Sequence, residues 1–94
     1  MTLERNAKVF AALSDPVRLS LVHELRSRGQ ACGTDLSGAL GISLSLVCHH
    51  TKVLVEAGVL TKTKAGTTAV YTLDTPALQE ALGSLGPSEP LKVR

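Results

Sequence analysis

The chain has 94 residues, a net charge of +2 and a hydrophobic fraction of 44%, enough for one small domain with a single core. Its pI near 8.7 is only mildly basic, so a nucleic-acid partner would have to be met by local clusters of cations, not by overall charge. Cys32 and Cys48 have no paired spacing, which argues against a disulfide scaffold, and no apolar run approaches the roughly 20 residues of a membrane span. Glu4, Arg5 and Lys8 interrupt the start of the chain, so no secretory leader is read there and the cytoplasm is the expected location. Phe10 and Tyr71 are the only aromatic residues. The core must therefore be Leu, Val and Ala, and oligomerisation is an expected supplement to so small a core.

Leu3 to Leu13 carries Leu3, Val9, Phe10 and Leu13 among alanines and charges, a pattern that predicts an amphipathic helix. In "SDP", Asp15 suits an N-cap and Pro16 the first position of a second helix. Val17, Leu21, Val22 and Leu25 recur there at helical spacing, with Arg18, Glu24, Arg26 and Arg28 outside, and Gly29 ends it. "QACGTDLSGALGIS" is Gly-rich. Thr34 is expected to cap a short helix through Leu36 and Leu40 that stops at Gly41. Ser43 then caps a longer helix running to about Gly58, with Val47, Leu54 and Ala57 turned inward. "VLTKTKAGTTAVYTLD" is rich in Val and Thr and breaks at Ala65–Gly66, which predicts a two-stranded hairpin. In "TPALQEALGSL", Thr75 is expected to cap a last helix striped by Leu78, Leu82 and Leu85. Residues 1–85 thus read as one domain, and residues 86–94, with two prolines and little to bury, as a disordered tail.

Two helices joined by a short Gly-containing turn form a helix-turn-helix. With the hairpin and last helix, the order is that of a mainly α winged helix-turn-helix. "ALSDPVRLSLVHEL", "DLSGALGIS" and "HHTKVLVEAGVL" resemble the second, third and recognition helices of the ArsR/SmtB transcriptional repressors, over about Ala11 to Asp74. The resemblance implies a cytoplasmic, homodimeric repressor that binds a double-stranded DNA operator. It also implies pairing of the first and last helices across the dimer, which assigns Leu3, Phe10, Leu13, Leu78, Leu82 and Leu85 to the interface. Many members of that family release DNA on binding metal, others on thiol oxidation. Here the run matching a family Cys-x-Cys metal site is Cys32-Gly33-Thr34, with one thiol. No histidine follows Asp74, where a second family site needs one. One thiolate cannot complete a soft-metal site, so neither a metal nor another cofactor is expected, and the effector stays open.

The positions that meet base edges in the family correspond to Leu44, Ser45, Cys48 and His49, which share one helical face. Leu44 and Leu46 are either extra core or, for Leu44, a contact to a thymine methyl, with Leu46 expected to be partly buried off that face. Lys52 and Arg18 are candidates for phosphate contacts. Lys62, Lys64 and Thr67 near the hairpin tip are either a solvated face or a wing touching DNA. Adjacent His49 and His50 diverge and chelate poorly. His49 suits a phosphate or base contact, His50 a packed residue with a satisfied ring nitrogen, and His23 the surface. Cys32, at a helix start, is either a reactive thiol or the remnant of a lost metal site. Cys48 is either a thiol switch beside DNA or a cysteine standing in for serine. Two other readings stay open: a winged-helix adaptor that binds protein, favoured by an exposed Leu44, and a metalloid sensor with a non-standard cysteine site. With no phosphate loop and no nucleophile paired to a base, the chain is not expected to be an enzyme.

Overall fold

The computed structural model describes residues 3–86. The expected disordered tail, residues 86–94, lies outside them apart from Gly86. Helix α1 (Leu3–Leu13) ends at a tight corner, where the Ser14 hydroxyl donates to the Ala11 carbonyl at 2.8 Å. Asp15 is extended, with φ −146° and ψ 131°. Its carboxylate accepts from the Arg18 amide at 3.0 Å, so one of the unpaired donors at the start of α2 (Pro16–Arg28) is satisfied. Pro16 occupies a first-turn position where a missing N–H costs nothing. Gly29 closes α2 at φ 87°, a conformation that only glycine adopts cheaply.

The next three residues form a strand that the sequence pattern does not announce. β1 (Gln30–Cys32) pairs antiparallel with β3 (Thr68–Leu73), Ala31 opposite Tyr71 and Cys32 opposite Val70. The sheet therefore has three strands, in the order β1-β3-β2, and not the two of the expected hairpin. Three residues are too few to show a period, and their partners lie far along the chain. The strand also moves the start of α3 (Gly33–Leu40). Pairing holds Cys32 extended at φ −86° and ψ 167°, so Cys32 takes the N-cap position without a side-chain cap bond. Thr34, the expected cap, lies inside the first turn, its hydroxyl 3.1 Å from the Cys32 sulfur.

Gly41, left-handed at φ 67°, ends α3. The Ser37 hydroxyl donates to the Ile42 carbonyl at 2.6 Å and ties the turn. Ser43 then caps α4 (Leu44–Glu56) by accepting from the Leu46 amide at 3.1 Å. The α3 and α4 axes meet at 112°, within the helix-turn-helix range. Gly58, at φ 84°, turns the chain into β2 (Leu60–Ala65). The β2–β3 connection is the two residues Gly66 and Thr67, with Gly66 at φ 67°; so short a link with a positive φ matches the right-handed twist of the hairpin. α5 (Thr75–Gly83) is capped one residue earlier than expected. Asp74, not Thr75, accepts from the Ala77 amide at 3.1 Å, while the Asp74 N–H donates to the Val59 carbonyl at 2.8 Å.

The core is one cluster. Leu21 and Leu25 of α2, Leu36 of α3, Val47 and Leu54 of α4, and Val59 are fully enclosed. Tyr71 closes it from the sheet, and Phe10, Leu13 and Leu78 pack against its edge. Among the described residues no single helix is long and apolar enough to cross a membrane.

Candidate nucleic-acid interface

α4 divides into an inner and an outer face. Val47, Thr51 and Leu54 are buried, and the Thr51 hydroxyl is returned to the Val47 carbonyl at 2.7 Å, so this inward-facing hydroxyl is paired. Ser45, Cys48, His49 and Lys52 are exposed on the outer side. Leu44 is 45% exposed, so it is not extra core. It leans on the start of α3, where a Cβ added to Gly33 would lie 3.1 Å from its Cδ1. Leu46, expected to be partly buried, is 47% exposed. Both precede Val47, the first residue of α4 to reach the core.

The wing stands beside this face. In β2 only Leu60 is buried, and Thr61 to Ala65 are exposed. Lys62 pairs with Tyr71 and Lys64 with Ala69, so both lysines lie on the Tyr71 face of the sheet. That face looks toward α4. A cleft of about 450 Å³ is lined by Lys62 and Tyr71 on one side and by Cys48, Lys52 and Glu56 on the other. Lys52 and Lys62 thus line one cleft that also holds a single carboxylate, Glu56. Thr67 is exposed at the tip.

A second cleft, of about 350 Å³, is lined by Cys32, Thr34, Leu44, Cys48, Thr67 and Tyr71. Both thiols open onto it, Cys48 exposed and Cys32 half-buried. In the sequence the two cysteines belong to separate elements. β1 pairing and the packing of Gly33 against Leu44 bring them to one place, and no local signal in the sequence announces either contact. Among the described residues no group of three or more His, Cys, Asp or Glu could hold a metal ion.

Arg18 is not free to reach outward as expected. Its Nε donates to the Ala12 carbonyl at 2.6 Å and its Nη1 donates to His50 Nδ1 at 3.2 Å. His50 is accordingly packed with a satisfied ring nitrogen. His49 stays exposed, its ring edge-on to that of His50 with centroids 5.0 Å apart. His23 lies on the surface. The Asp15 carboxyl is held below its usual range, mainly by the Arg18 amide hydrogen bond, with the charge of Arg18 adding to it.

Comparison with known proteins gives this arrangement a family. The bacterial regulatory protein, arsR family, matches residues 15–62. The arsenical resistance operon repressor of Bacillus subtilis is 35% identical over 72 residues, covering 77% of this chain and 69% of that protein. The HTH-type transcriptional repressor SmtB of Mycobacterium tuberculosis is 37% identical over 71 residues, 76% of this chain but only 52% of its own length. An ArsR-like transcriptional regulator from Rhodococcus sp. RHA1 superposes with a TM-score of 0.79 at 28% identity, over 87% of this chain and 76% of that one. The chain belongs to the ArsR family of bacterial regulatory proteins, which are DNA-binding transcriptional regulators and not enzymes.

Proposed function

We propose that this protein is a homodimeric, cytoplasmic repressor that sets α4 in the major groove of its operator and lays the wing on the adjoining backbone. The observation that carries this reading is the shared orientation of two elements: the outer face of α4 and the lysine face of β2 border one cleft. Ser45 and His49 would supply hydrogen bonds to bases or phosphates, and Leu44 an apolar contact to a thymine methyl. Lys52, Lys62, Lys64 and Thr67 would hold phosphates, which position the protein without reading sequence.

Dimerisation is supported by what one protomer leaves uncovered. Leu3 is 84% exposed and Leu82 53%, at the outer ends of α1 and α5, two helices that pack on each other; Leu85, expected to continue the stripe of the last helix, is 73% exposed in the turn beyond Gly83, where α5 already ends. Phe10, Leu13 and Leu78 are partly buried against the core beneath them. These side chains would together offer apolar surface for a second copy to cover, with the two recognition helices roughly 34 Å apart on DNA. Either thiol of the Cys32–Cys48 cleft would then sit close enough to DNA to report its own chemical state.

The test is a gel-shift titration on a duplex that the protein selects from a random pool, repeated over a range of salt. DNA binding through phosphates gives log affinity falling linearly with log salt, by about 0.9 for each contact. An affinity independent of salt would favour the protein-binding adaptor, for which the exposed Leu44 and Leu46 are the motivation.

A further inference from the structure

We propose that Arg18 and His50 form a latch that sets the rotation of the recognition helix, and that the latch holds only while His50 is neutral. This rests on the DNA-binding reading above. Arg18 then acts as a positioning residue without touching DNA, and acid opens the latch.

Three elements meet at this point. The Ala12 carbonyl is one of the unpaired acceptors at the end of α1, and Arg18 Nε takes it at 2.6 Å. Asp15 starts α2 and bonds the amide of the same arginine. His50, on α4, receives the other arm of the guanidinium at 3.2 Å. Arginine offers donors and no acceptor, so the bonded Nδ1 must carry a lone pair, and the ring is neutral with its proton on Nε2. The core face of α4 at Val47, Thr51 and Leu54 is short and mostly apolar, and apolar packing is non-directional. The hydrogen bond to His50 supplies the direction. With side chains about 5–6 Å from the helix axis, a rotation of about 20° would move an outer side chain by about 2 Å, enough to break a base contact at Ser45 or His49.

A proton on Nδ1 removes the acceptor and places a second cation beside the guanidinium. The imidazolium has another partner within reach, since Asp15 Oδ2 lies 3.9 Å from Nδ1. The groups facing His50 are Asp15 from the α1–α2 corner, Arg18 from α2 and the ring of His49 on its own helix. Lys8 of α1 and Glu56 of α4 share the adjoining cleft with Arg18. Protonation therefore transfers His50 from Arg18 to Asp15, and α4 turns with it.

The experiment measures fluorescence anisotropy with a duplex that the wild-type protein has selected, at constant ionic strength between pH 8 and pH 5, the window in which imidazoles take up a proton. His50→Asn keeps an acceptor close to the Nδ1 position but cannot be protonated, and it leaves His49 in place as an internal control. Wild type is expected to lose about fivefold more affinity than His50→Asn on going to pH 5, the net size of one ordinary hydrogen bond. Parallel pH profiles for the two would overturn the proposal. A second arm uses Arg18→Lys, which keeps the charge but not the two-armed geometry. At pH 8 it is expected to weaken binding about fivefold with an unchanged salt slope. Full affinity in Arg18→Lys, together with a slope reduced by about one in Arg18→Gln, would make Arg18 a phosphate contact and refute the latch. A wild type that selects no duplex would refute the DNA-binding reading itself, a result distinct from both.

Discussion

Oxidation of Cys48 should release DNA. Two equivalents of peroxide carry a thiolate through sulfenate to sulfinate, which adds a fixed negative charge. Cys48 is exposed and lines both clefts of the proposed interface, one of them shared with Lys52 and Lys62. A sulfinate there offsets about one of those cations. In counterion terms each lost phosphate contact lowers the salt slope by about 0.9, which near 0.15 M salt is about fivefold in affinity. A dimer loses the contact twice, so fully oxidised protein should bind about 30-fold more weakly, with a slope smaller by about 1.8. A persulfide or glutathione cap should act in the same direction by filling the cleft of about 350 Å³. The assay is anisotropy before and after treatment of wild type, Cys48→Ser and Cys32→Ser, with mass spectrometry to place the modification. If wild type keeps its affinity once Cys48 is modified, or Cys48→Ser loses as much as wild type, the thiol is a groove-lining residue and nothing more.

Three other outcomes follow from the packing and the corner at Asp15. The double substitution Leu82→Glu and Leu85→Glu should yield monomers by light scattering at micromolar concentration, because it places charge on the uncovered apolar face; a persistent dimer would move the interface elsewhere. Leu25→Ala removes a fully buried side chain and should cost about 2–5 kcal/mol in denaturant unfolding, whereas Leu19→Ala, at 45% exposure, should cost well under half as much. The Asp15 carboxyl titrates below its ordinary value in the folded state. The stability it contributes is therefore present above the unfolded value and lost as pH falls through the folded one. The acid unfolding curve of Asp15→Asn should accordingly fall less steeply below about pH 4 than that of wild type.

Much of this fold is written in local chemistry. Asp15 with Pro16, Ser43, Gly29 and Gly41 mark helix ends through hydrogen bonds and dihedral angles that depend on near neighbours, and such signals survive in a bare sequence. What escapes reading is set by distant partners. β1 exists because Ala31 finds Tyr71, and the start of α3 shifts from Thr34 to Cys32 as a consequence. Arg18 reads as one cation of a solvent face until Ala12 and His50 claim its nitrogens. The same holds for the site. The outer face of α4 follows from helical spacing, but the meeting of both thiols in one cleft depends on a strand and a glycine contact that have no periodicity.

The leucines at the head of α4 bear on how sequence is read by a helix with few polar groups. Leaving Leu44 and Leu46 each about half exposed forgoes about 1 kcal/mol of burial per side chain. A repressor recovers part of that when DNA covers them. In the major groove the thymine methyl is the one apolar feature of the base edges. Leu44 should therefore favour thymine over cytosine at one position in each half-site by about 1 kcal/mol, or roughly fivefold, without any hydrogen bond. Leu46 follows Leu44 by two residues, a turn of about 200° around the helix axis. It therefore points away from the bases that Leu44 meets and should matter less. The remaining discrimination would come from Ser45, His49 and the deformability of the duplex. Selection from a random pool by wild type and by Leu44→Ser tests this directly. Wild type should enrich thymine at a position where Leu44→Ser shows no preference, and the two should agree elsewhere. Identical preferences at every position would show that Leu44 faces something other than a base.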